Sequence, residues 1–117
     1  MTYKLVNLYK ESLLLDNVEI ADSFFSRLRG LLGRTELKEG QGLIIKPCNS
    51  IHTFGMKFPI DVAFVDQNNK VIKIMENTAK TKVSPIVKNS KYVIEARSGE
   101  FQAKNLQVGD LVEVKQY

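Results

Sequence analysis

Cysteine, histidine and long apolar runs are scarce in this chain, and each scarcity removes a class of function. A single cysteine, Cys48, forbids an intrachain disulfide. One cysteine and one histidine, His52, fall short of the Cys/His sets of structural zinc sites, so no metal is expected. The sequence has no G-x-S-x-G elbow, phosphate-binding loop, dinucleotide glycine fingerprint or H-E-x-x-H pair. No cofactor and no established catalytic motif follow from it. No apolar stretch approaches the ~20 residues that span a bilayer. The first residues, Met1-Thr2-Tyr3-Lys4-Leu5, alternate polar and apolar and lack the core of a signal peptide. Together these absences predict a soluble, cytoplasmic protein with no membrane partner.

What is present is ordinary for a globular chain. The 117 residues predict a single domain over 1–117, with 44% hydrophobic and 26% charged residues. The net charge of +4 is unevenly placed. Segment 77–94 carries Lys80, Lys82, Lys88 and Lys91 with no acid, so one stretch accounts for the excess. Such a stretch is a solvated loop or a weak polyanion site.

Hydrophobic periodicity predicts a mainly β chain of the α+β type. Residues 3–9 alternate as a strand. Leu13-Leu14-Leu15 and Val18-Glu19-Ile20 read as a hairpin turned by Asp16-Asn17. The clearest helix spans about 22–33: Asp22 or Ser23 caps it, and Phe24, Phe25, Leu28, Leu31 and Leu32 make one stripe. Ser26, Arg27 and Arg29 lie away from the stripe, and Gly33 ends it. Further strands follow at Leu43–Ile45, within 49–56, at Ile60–Val65 and Val71–Met75, at Tyr92–Ala96 and at Leu111–Val114. Gln67-Asn68-Asn69-Lys70 turns between the third and fourth of these, and 99–106 allows a short helical turn. Strands of this number curl into a small, partly open, antiparallel or mixed barrel-like sheet, with the long helix covering one end.

Several stretches carry a resemblance. Arg27-Leu28-Arg29-Gly30-Leu31-Leu32-Gly33-Arg34 precedes Gly42-Leu43-Ile44-Ile45 and Pro47-Cys48. The run from Ser50 to Asp66 follows, then Val93-Ile94-Glu95, Gly99 and Val108-Gly109-Asp110. This pattern resembles the uncharacterised bacterial and archaeal family called domain of unknown function 192, over about residues 20–114. The resemblance implies a mixed-β, barrel-like fold with few helices and no assigned activity. Some relatives carry export signals, which this sequence does not show. Ala96-Arg97-Ser98 departs from the family pattern before Gly99.

The polar candidates cluster around the most distinctive stretch. His52 has the side chain best suited to proton transfer near neutral pH, and Thr53 and Asp61 are close in sequence. Asp61 and Glu95 sit in apolar β runs, where an unpaired charge is costly, so each needs a partner or a task. His52, Thr53, Asp61 and Glu95 therefore form the candidate polar site, with Phe54 and Met56 as candidate pocket lining. Cys48 lies four residues from His52, more than ~10 Å on an extended chain, so a nucleophilic pair would need a sharp bend. Asp66 and Asp110 have ready turn roles, while Arg29 and Arg34 are expected to be solvated or ion-paired. The expected function is a small binding or accessory module whose partner is a protein or small ligand. The alternative is a small enzyme in which His52 works with a carboxylate. Nucleic-acid binding through the lysines of 77–91 ranks last, because only Tyr92 is near them as a stacking surface.

Overall fold

A computed structural model describes residues 2–53, 55–78 and 83–116. Seven strands and two short helices follow the chain: β1 Tyr3–Asn7, β2 Ser12–Ala21, α1 Phe24–Arg29, β3 Gln41–Ile45, β4 Ile60–Val65, β5 Val71–Thr78, β6 Tyr92–Arg97, α2 Glu100–Ala103 and β7 Val112–Gln116. They form one mixed sheet, ordered β5-β4-β6-β3-β2-β1-β7 and curled into a half-barrel. Among the described residues, only β2 and β3 pair in parallel. The mainly β, barrel-like class read from the sequence is the observed one.

Two cores follow from the alternation of side chains across this sheet. One draws on all seven strands and on Phe101 of α2, with Leu5, Leu15, Ile44, Val65 and Ile94 at its centre. The other lies on the opposite face of β2 to β6. There Leu43, Val62, Phe64 and Val93 meet Leu31, Leu37, Ile51 and Met56 from the connecting segments. The site described below sits at the margin of this second core.

Local structure departs from the sequence reading at three places. The Asp16-Asn17 hairpin does not exist: β2 runs unbroken through both residues, and both backbone N–H groups donate to Gly40 O at 3.0 Å. The register between β1 and β2 shifts in this region, so the polar pair marks an irregularity instead of a reversal. The true reversal lies at residues 8–11, where Asn7 Oδ1 accepts from the backbone N–H of Tyr9 and Lys10. The segment 49–56 forms no strand among its described residues and makes one bridge, His52 to Val83. The first helix is six residues long, not twelve, because Gly30 adopts φ +49° and closes it with a hydrogen bond to Ser26 O. Consequently its stripe does not reach the core. Phe24, Phe25 and Leu28 are 66%, 79% and 63% exposed, and only Leu31, beyond the helix, is buried.

Close approach of strands makes one glycine obligatory. A Cβ at Gly42 would lie 2.6 Å from Leu15 Cδ1 and 3.1 Å from Glu95 O. Leu15 is fully buried and has nowhere to retreat. Gly42→Ala is expected to cost about 2 kcal/mol by overpacking. Urea unfolding at constant m-value checks this, and an unchanged midpoint would contradict it.

Candidate functional site

β6 places Glu95 on the face of the second core. In register it lies opposite Leu43 of β3 and Val62 of β4, so its strand neighbours are apolar. The residue is 5% exposed, and among the described residues its carboxyl has no hydrogen-bond or ion-pair partner. Burial alone pushes its pKa up to about 7.

This carboxyl lines a cleft of about 260 Å³. One wall is α1 and the turn after it, through Phe24, Arg27, Leu28 and Leu31. The other comes from the end of β3 and the following segment, through Ile45, Pro47, Cys48, Ile51 and His52, with Met56 beyond. Arg27 is tied across the cleft by Nη1, which donates to Pro47 O at 3.1 Å. Its Nε is buried without a partner among the described residues. The Cys48 thiol donates to Ser50 O at 3.0 Å. Burial holds this thiol above its ordinary pKa, with Glu95 adding to the effect, which disfavours the thiolate a nucleophile needs.

The candidate residues divide. His52 is exposed and lines the cleft with Glu95. Met56 lines it too, 9% exposed, while Phe54 lies outside the described residues. Thr53 is buried, and its carbonyl accepts from Met56 N at 3.1 Å, shaping the loop. Asp61 is elsewhere. It pairs in register with Ala96, one residue past Glu95, and so faces the other side of the sheet. There it is fully buried and accepts from the backbone N–H of Asn77, Gly99 and Phe101. The imidazole and the two acids therefore do not share one hollow.

Helical spacing places Arg27 off the apolar stripe. Arg27 lines the cleft because the stripe itself turns toward that cleft, Phe24 and Leu28 included. Nothing local in the sequence marks this, since the opposite wall comes from residues about 20 positions later in the chain. Arg34 pairs with Glu19 at 2.7 Å, and Arg29 is exposed at the cleft. Asp66 Oδ1 accepts from Asn68 N and Lys70 N, closing the turn between β4 and β5. Asp110 accepts from Asn7, Lys10 and Gln107 N. Of the lysines of 77–94, Lys88 and Lys91 are exposed, and Lys80 and Lys82 lie outside the described residues.

A second depression of about 240 Å³ lies toward the first core, beside Ile44, Lys46, Asn69 and Tyr92. Two of its polar side chains are paired with each other. Tyr92 OH donates to Asn69 Oδ1 at 2.8 Å, and the Lys46 ammonium lies 5.6 Å from the Tyr92 ring centre. Among the described residues, no three His, Cys, Asp or Glu side chains group as a metal site. No described helix is long and apolar enough to cross a membrane.

The chain matches the DUF192 family, Uncharacterized ACR, over residues 8–114. It is 30% identical over 113 residues to a UPF0127 protein of Thermococcus sibiricus, an alignment covering 93% of this chain and 73% of that one. A UPF0127 protein of Thermococcus gammatolerans is 28% identical over 100 residues, covering 82% of this chain and 65% of the relative. In structure, a protein of unknown function from Novosphingobium aromaticivorans superposes with a TM-score of 0.83 at 22% identity, over 97% of this chain and 84% of that one.

Proposed function

The chain belongs to the DUF192 family, and we propose that this protein is a small binding module whose ligand enters the cleft beside α1 and meets Glu95 at its end. The observation that carries this reading is the Glu95 carboxyl, 5% exposed and without a partner among the described residues. A buried carboxyl without partners costs stability. A ligand supplying those partners recovers it. The exposed Phe24 and Leu28 offer apolar surface at the same opening. A lone cysteine lining the cleft fits a reducing, cytoplasmic setting.

A second reading, a small acid–base enzyme, draws on one observation. Glu95, with its pKa pushed up to about 7, matches the requirement for proton transfer near neutral pH, and His52 opens onto the same cleft.

A thermal-shift screen of small amphipathic molecules tests the first reading on wild type, Glu95→Gln and His52→Ala. A molecule present at about 100 times its Kd stabilises by ~2.7 kcal/mol, a rise on the order of 10 °C for a domain of this size. That rise is expected in wild type and should shrink by more than half in Glu95→Gln. Hits that shift all three proteins equally would place binding elsewhere. A broad library without a hit would remove the reading altogether. Turnover of a hit, abolished in Glu95→Gln, would select the enzyme.

A further inference from the structure

We infer that the cleft takes a small zwitterion with an apolar body, the pattern of a free α-amino acid with a hydrophobic side chain; this rests on the binding reading above. Three observations converge on it. The first is a pair of unfilled polar demands inside one cleft. Glu95, 5% exposed, offers an acceptor without a donor among the described residues, and Arg27 Nε is a buried donor without an acceptor among them. A ligand that satisfies both carries a donor and an acceptor.

The second is charge. Among the described lining residues Glu95 is the one acid, and Arg27 and Arg29 supply two guanidinium groups. A simple amine would meet Glu95 and also face both arginines. A simple carboxylate would meet the arginines and also face Glu95. A molecule carrying both charges places its ammonium on the carboxylate and its carboxylate on the guanidinium, and each contact is then a charge-assisted hydrogen bond.

The third is shape. The volume of about 260 Å³ lies just below the ~300–1,000 Å³ of sites for drug-sized molecules, so the occupant is small. The apolar lining includes Leu28, Leu31, Ile45, Met56 and Phe24. Leu28 and Phe24 are 63% and 66% exposed, and an apolar body lying across them removes that surface from water.

The test separates the two charges of the probe. L-Leucine, leucinamide (no carboxylate) and N-acetyl-leucine (no ammonium) are titrated calorimetrically at pH 8 into wild type, Glu95→Gln and Arg27→Gln. Leucine is expected to bind wild type at least ten times more tightly than either analogue. Glu95→Gln should weaken leucine and leucinamide about tenfold or more and tighten N-acetyl-leucine, whose carboxylate no longer faces a like charge. Arg27→Gln should weaken leucine and N-acetyl-leucine and leave leucinamide no weaker, since its ammonium then faces one guanidinium instead of two. Glu95→Gln keeps side-chain volume and Arg27→Gln shortens the side chain, and far-UV circular dichroism checks the fold of both. If leucinamide binds as well as leucine, the paired-charge proposal is overturned while the binding cleft stands. Failure of all three probes at millimolar concentration also overturns it, and the library screen then decides separately whether the cleft binds anything.

Discussion

Asp61→Ala is expected to lose about 4 kcal/mol of stability, a large part of what a domain of this size possesses. The carboxylate is fully buried and joins three separate pieces of chain. Oδ1 accepts from Asn77 N at 2.8 Å, at the end of β5. Oδ2 accepts from Gly99 N at 3.0 Å and Phe101 N at 3.3 Å, at the start of α2. Gly99 is the N-cap position of that helix and has no side chain to cap with, so β4 supplies the cap from across the sheet. Two of the donors belong to residues in the left-handed region, Asn77 at φ +48° and Gly99 at φ +90°, conformations held by these bonds. Each hydrogen bond to a charged acceptor contributes roughly 1.5–3 kcal/mol, and truncation also strands its donors. Asp61→Asn should fall between, since the amide retains one acceptor but turns N–H groups toward N–H groups. Urea denaturation of the three proteins measures the series. A loss under 1 kcal/mol for alanine would mean that water or another group replaces the carboxylate without penalty.

The contrast between Asp61 and Glu95 shows where the sequence stops being informative. Each is an acid within an apolar β run, and the sequence marks both as groups needing partners. Their separation comes from register: Asp61 faces Ala96 and Val62 faces Glu95, so a single-residue offset sends the two acids to opposite faces. Alternation within one strand carries no information about its offset against the next. Where chemistry is local, the reading is direct. The turn after β4 follows from Asn69, which takes φ +63°, and from Asp66, which accepts the backbone N–H groups of the turn. Strand β4 spans the predicted Ile60–Val65 because, Asp61 apart, the run is apolar and both of its faces are covered. The stripe of Phe24, Phe25 and Leu28 misleads for the opposite reason. Helical spacing reports that the residues share a side, and only the distant segment 47–52 makes that side a cleft instead of a core.

Glu95→Gln is expected to stabilise the unliganded protein by about 3 kcal/mol at pH 8 and to change little at pH 4.5. The sign follows from which state holds the proton. With its folded pKa pushed from 4.5 to about 7 by burial, the carboxyl is protonated in the native state and ionised in the unfolded state between those limits. The unfolded state then binds fewer protons, and stability falls as pH rises. At ~1.4 kcal/mol per pH unit the loss accumulates to about 3 kcal/mol by pH 7 and is constant above it. Asp110 acts in a different window. Burial raises its pKa, but hydrogen bonds from Lys10, Gln107 N and Asn7 outweigh that and hold it below the ordinary carboxylate value. Its contribution is present above the unfolded pKa and lost on acidification below it, so the two slopes do not overlap. Subtracting variant from wild-type stability across pH 4 to 9 isolates Glu95, and a difference without slope between 4.5 and 7 would contradict the buried, unpartnered carboxyl. An ammonium-bearing ligand gives the reciprocal result. By pairing the ionised carboxylate it should return the wild type at pH 8 toward the variant's stability, while adding little to a glutamine protein that has no charge to satisfy.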